Sequence, residues 1–171
     1  LQRIHDHFSQ NHYSAISGIC GLKTESQHVV TRYKNLWMYH SYLNSPENFD
    51  WFISGIGAVK KEVFLEVKGF DDTFCTRTGG GDLEFGRRLK EAGHQILLDK
   101  NLLGEHLQRY TLISLLHNDF KRSKGWLQLA ISKKMFSSVI KKLRIANIYP
   151  GYMISILVAF IFLFSLVFSF F

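Results

Sequence analysis

The residues with the clearest capacity for chemistry lie between Trp51 and Trp126. Gly79, Gly80 and Gly81 lead directly into Asp82. A carboxylate at a glycine-rich turn entering a helix can approach a substrate closely, because the glycines put no side chains in the way. The same residue type is a good helix N-cap, so Asp82 reads equally as a local structural acid. His106 is an imidazole that either joins oxygen ligands around a divalent cation or plays a structural part. Ser54 and Gly55 read as part of a tight core strand. Asp71 and Asp72, in Gly69-Phe70-Asp71-Asp72, read as turn-stabilising. His5-Asp6-His7 with His12 has the composition of a metal site, but in a helix His5 and His7 face different ways and cannot share an ion. The chain has no nucleophile elbow, no phosphate-binding glycine loop with Lys-Ser/Thr and no paired cysteine set for zinc.

The elements that must carry these residues follow from periodicity. Tyr13 to Cys20 fits a core strand ending at Gly21. Ser26 to Leu43 places Val29, Val30, Tyr33, Leu36, Trp37 and His40 at three- and four-residue steps, which predicts an amphipathic helix. Trp51 to Val59 predicts a strand, Lys61 to Val67 a short helix, and Gly69 its stop. Asp82 to Ala92 predicts a helix ended by Gly93, with Phe85, Leu89 and Ala92 on one face. Ile96 to Leu98 and Leu102 to Leu103 predict two short strands. This alternation points to an α/β layered domain over 1–108.

From about Arg109 to Ile148 the pattern is helical and basic. Leu112, Leu115, Leu116 and Phe120 form one apolar stripe, and Phe136, Val139, Ile140 and Leu143 form another. Residues 109–148 therefore predict amphipathic interfacial helices whose lysines reach lipid head groups. Residues 149–171 are apolar and uncharged, which predicts a transmembrane helix or most of one, since about 20 residues span a bilayer core. The basic cluster just before it predicts a cytoplasmic catalytic domain.

The net charge of +7 is uneven. Eight basic residues and no acidic ones lie between Phe120 and Asn147, leaving 13 basic against 14 acidic elsewhere. Such placement suits a phospholipid surface and argues against a nucleic-acid partner. Cys20 and Cys75 have no redox or metal spacing, which fits a reducing compartment, with Cys20 buried. The start at Leu1 and the stop inside an apolar run read as the cut ends of a fragment, which is expected to be inactive alone.

Taken in order, Ser54-Gly55-Ile56-Gly57-Ala58-Val59-Lys60-Lys61, Gly69-Phe70-Asp71, Gly80-Gly81-Asp82-Leu83-Glu84-Phe85, Ala92-Gly93-His94 and Gly104-Glu105-His106 form a series. It resembles the second half of the GT-A catalytic domain of inverting, family-two-type glycosyltransferases, closely over about 50 residues and loosely over about 100. The resemblance implies a membrane-associated enzyme moving a sugar from a nucleotide-sugar donor to a glycan or lipid-linked acceptor. It implies that Asp82 is the general base. It implies that His106 completes a site for Mn or Mg, whose Asp-x-Asp is expected upstream of Leu1. Gly81 stands where the family has Glu. Ser54, Gly55, Gly80 and Gly81 correspond to the cleft. Trp51 either stacks on a sugar ring or belongs to the core. Arg122 and Trp126 stand where some relatives carry an Arg/Trp motif, or they anchor the helix at lipid. The Gln-x-x-Arg-Trp of processive synthases is absent, so chain elongation is not expected. A non-catalytic membrane-anchored adaptor is the rival expectation, supported by Gly81.

Overall fold

The stretch of small and β-branched residues Ala15–Cys20 becomes strand β1, buried along its whole length, as expected of a strand covered on both faces. The computed structural model that shows this describes residues 1–10, 12–77, 80–132, 154–155, 158–162 and 165. Helix α1 (Gln2–Ser9) precedes β1, and α2 (Val29–Leu43) follows it. Then come β2 (Asn48–Phe49), a 3₁₀ turn (Ser54–Ile56), β3 (Gly57–Val59), α3 (Lys61–Glu66), α4 (Asp72–Arg77), α5 (Gly81–Glu91), β4 (Ile96–Gly104) and α6 (Leu112–Ser132). The strands form one mixed sheet in the order β2-β4-β1-β3. Strand β1 runs parallel to β4 and antiparallel to β3, and β2 runs antiparallel to β4. This is the α/β unit expected from the sequence.

Several expectations need correction. Of the strand expected over Trp51 to Val59, only 57–59 is strand, after a 3₁₀ turn. The two short strands expected after α5 are one strand, β4. Ser17 pairs with Leu98 and Ile19 with Leu103, so β4 carries extra residues at an irregularity there. Asp99, inside that irregularity, is buried and tied to Arg3 and to His7 of α1, the latter at 3.1 Å. His7 thus serves an ion pair that holds α1 to the sheet, not a metal. Burial raises the Asp99 carboxyl, but Arg3, the Asn101 N–H and His7 outweigh it and hold Asp99 below its ordinary value. Helix α4 replaces the turn expected around Asp72, and Asp71 caps it by accepting the Thr73 N–H at 2.9 Å.

Helix α2 buries a different face from the expected one. Val29, Tyr33 and Leu36 are exposed, whereas Thr31, Lys34, Asn35, Met38, Ser41 and Tyr42 are buried. The reason is polar: the Thr31 hydroxyl binds the N–H and C=O of Tyr110, and Lys34 pairs with Asp119 at 2.8 Å. Periodicity alone cannot foresee such partners. On α6, Leu115 and Leu129 are buried, while Leu112, Leu116 and Phe120 of the expected stripe are exposed.

Among the described residues no helix is long and apolar enough to cross a membrane. The second basic stripe (Phe136 to Arg144) lies outside the described residues. So does most of 149–171, of which 154–155, 158–162 and 165 are described, as helical.

The core sits between the sheet and α5. Phe85, fully buried, meets Phe52, Phe64 and Phe70 at ring-centroid distances of 5.2, 5.7 and 4.4 Å. Gly86 lets α5 lie directly on the backbone of Trp51 and Phe52: a Cβ there would fall 2.4 Å from the Trp51 Cα. Glu84, 1% exposed, receives both bonds from the Arg88 Nε at 2.8 Å. Arg88 also donates to the Gly69 carbonyl at 2.6 Å, where the chain turns at a φ of +62°. Arg88, paired with buried Glu84 within α5, thereby ties α5 to the turn that follows α3 through the Val67 and Gly69 carbonyls.

Candidate active site

The first turn of α5 holds the central side chain. Its N-cap is Gly80, so the N-cap reading of Asp82 is overturned: Asp82 sits inside the turn. There its carboxylate faces the positive end of the helix dipole. The Asp82 Oδ2 accepts the Ser54 N–H at 3.3 Å, and the Asp82 carbonyl accepts the Phe52 N–H at 3.3 Å. The loop bearing Phe52 and Ser54 is fixed in turn by β1, because the wholly buried Ser17 hydroxyl accepts the Ile53 N–H at 2.9 Å. Ser54 and Asp82 are therefore positioned by the sheet itself.

Both residues line a cleft of about 480 Å³. Phe70, Cys75 and Gly81 complete its α/β wall, and α6 contributes Asn118 and Arg122. Among the described residues neither Asp82 nor Arg122 has an ion-pair partner; the Arg122 guanidinium lies 5.9 Å from the Trp126 ring. The cleft thus offers one carboxylate oxygen pair and one guanidinium, neither committed to a partner of opposite charge. That combination can accept a proton and bind an anion in the same space.

The other expected residues are distributed around it. Gly81 lines the cleft. Gly80 is buried and donates to the Phe74 carbonyl at 3.2 Å, closing α4 onto α5. Gly55 is exposed beside Ser54, with open space where a side chain would stand. Trp51, buried, lies among Tyr42, Phe49 and Trp126 and forms part of a smaller neighbouring cleft of about 260 Å³, shared by Trp126 and Arg122.

His106 is not in the Asp82 cleft wall. It stacks on Tyr110 at 6.0 Å, nearly coplanar, and its buried Nδ1 has no hydrogen-bond partner among the described residues. Burial, then the charges of Arg122 and Lys34, hold its pKa below the ordinary value. Cations that resist protonation of the ring also resist a divalent ion beside it. Among the described residues no group of three His, Cys, Asp or Glu side chains could hold a metal. The residues described here do not by themselves fit a metal centre.

Phe70, Cys75 and Asn118 line the cleft although the sequence did not mark them as site residues. Cys75 could have been sought through Gly81. A Cβ on Gly81 would stand 2.4 Å from the Cys75 Sγ, so no acidic side chain fits at position 81 while Cys75 keeps its place. Both cysteines are free. Burial first, and then Asp82 and its neighbouring carboxylates, push the Cys75 thiol up.

A family model described as the N-terminal domain of galactosyltransferase matches residues 34–114. Its span runs from the middle of α2 to the start of α6 and includes Ser54, Asp82 and His106. That stretch is therefore similar to a glycosyltransferase domain. No curated protein and no solved structure is matched.

Proposed function

We propose that this chain carries the acceptor side of an inverting glycosyl-transfer site, with Asp82 as general base. The acceptor hydroxyl oxygen forms the new bond to the anomeric carbon as the bond to the donor's phosphate oxygen breaks. The electron pair of that broken bond leaves with the nucleoside diphosphate, and the hydroxyl proton passes to Asp82. Arg122 sits where its fixed positive charge would favour the departing phosphate.

The observation that carries this reading is the Asp82 carboxylate, held by the Ser54 N–H in an open cleft with no cation in ion-pair reach among the described residues. A base tied up in an ion pair would lose proton affinity and reach.

The membrane placement rests on charge and on α6. Ile113, Leu116, Phe120, Leu127 and Ile131 are exposed along this helix, with Lys121 and Lys124 exposed nearby. That face suits a lipid interface on the cytoplasmic side, while the opposite face of the same helix supplies Asn118 and Arg122 to the cleft. A lipid-linked or membrane-proximal acceptor would then reach Asp82 along α6. The adaptor alternative draws on Gly81, whose missing carboxylate is replaced by the Cys75 thiol in space.

Asp82→Asn in the full-length protein separates the two. Its turnover should fall by about 10²–10⁴-fold, the usual contribution of a positioned general base, with an unchanged melting temperature. Near-normal turnover would remove Asp82 from the mechanism.

A further inference from the structure

We infer that the smaller cleft between α2 and α6 is a second saccharide subsite, taking the ring that follows the acceptor sugar. This rests on the Asp82 cleft being a glycosyl-transfer site. The space is about 260 Å³, near the lower end of ligand sites and suited to a single pyranose ring. Its walls are aromatic: Tyr33, Trp37 and Tyr42 come from α2, Trp126 from α6, and Trp51 from the segment after β2. A pyranose presents C–H faces that stack on such rings and hydroxyl edges that need polar partners.

Those partners are present. Trp51 is 3% exposed, yet its indole N–H has no acceptor among the described residues. An indole donor normally finds a partner when buried, and a sugar hydroxyl would supply one. The Lys34 ammonium binds both Asp119 oxygens, at 2.8 and 3.1 Å, and lies 4.6 Å from the Trp37 ring centre. This pair joins α2 to α6 at the cleft and leaves Asp119 half exposed, with capacity to accept further hydrogen bonds. The charges disfavour a lipid tail.

Continuity gives the assignment its direction. Arg122 lines both clefts, so a glycan with its terminal hydroxyl at Asp82 could lay its next ring against Trp126 and Tyr33. Tyr33 is 60% exposed on the outer rim, an aromatic that packing does not account for.

The test uses the full-length protein with lactose, N-acetyllactosamine and cellobiose as probes, each beside its terminal monosaccharide. Binding is read by titration calorimetry and transfer by kcat/KM. The wild type should prefer at least one disaccharide over its monosaccharide. Tyr33→Ala, on an exposed helix face, should cut that preference about three- to tenfold, the loss of one stacked ring. Trp37→Ala should do the same. A preference unchanged by both variants overturns the subsite, as does absence of any disaccharide preference, or binding of UMP rather than sugar in this cleft. Tyr33-dependent disaccharide binding without turnover on any nucleotide sugar would keep the subsite and remove the transfer reading. Turnover without disaccharide preference would do the reverse.

Discussion

The first turn of α5 and the segment around His106 both lie near Arg122, in different settings. Asp82 shares an open cleft with the guanidinium, with no ion pair between them. Burial, and then the same guanidinium with Lys34, hold the His106 pKa below its ordinary value, and the ring stacks on Tyr110. A resemblance in sequence marks both positions; their surroundings in the fold set them apart. The contrast also extends to rigidity, since α5 is locked to the turn after α3 by Arg88, itself paired with buried Glu84, whereas His106 is held by ring stacking.

Arg88→Met breaks that lock and should have the largest effect. It strands the Glu84 carboxylate at 1% exposure and should cost about 3–5 kcal/mol in urea unfolding. Arg87, 3.7 Å from Glu84, can recover part of this. A loss within error of zero would mean that α5 is placed by packing alone and that the contrast in rigidity is false.

The glycines give a middle-sized effect. Gly86→Ala meets backbone of Trp51 and Phe52, whereas Gly81→Ala meets chiefly the Cys75 Sγ. Each should cost about 1–3 kcal/mol as overpacking. Cys75→Ala should relieve Gly81→Ala and leave Gly86→Ala unchanged, a difference that a double-mutant cycle reads directly. Equal relief of both would show that the thiol does not fill the space beside Asp82.

His106 should give the smallest effect. Its pKa is depressed in the fold, so the unfolded chain binds the proton more readily. Stability should then be full above about 6.5, the ordinary value, and decline as pH falls through the lower folded value. His106→Gln should flatten the melting temperature between pH 7.5 and 5. A steeper decline in the variant would contradict the neutral, cation-flanked imidazole.

Particular residues show what was legible in advance. The α5 boundaries came within a residue because Gly93, at a φ of +87°, ends the helix where a C′ glycine should. Strand β1 was legible because a short run of small and β-branched residues ending at Gly21 has few other uses. The buried face of α2 was not, since Lys34 and Thr31 become core residues only through Asp119 and Tyr110, some 80 positions away. The sheet order and the β4 irregularity were equally hidden, because pairing register depends on partners far along the chain.

By itself the chain's order of residues determined the α/β alternation, the basic and apolar zones after Gln108, and the acidic turn at Asp82. These depend on local periodicity and composition, which each segment carries alone. Only the tertiary structure decided that Gly80, not Asp82, caps α5, that Arg122 crosses from α6 to line the Asp82 cleft, and that His106 sits among cations. Those facts arise from side chains distant in sequence being forced into one low-dielectric space, where charge and volume must be reconciled together.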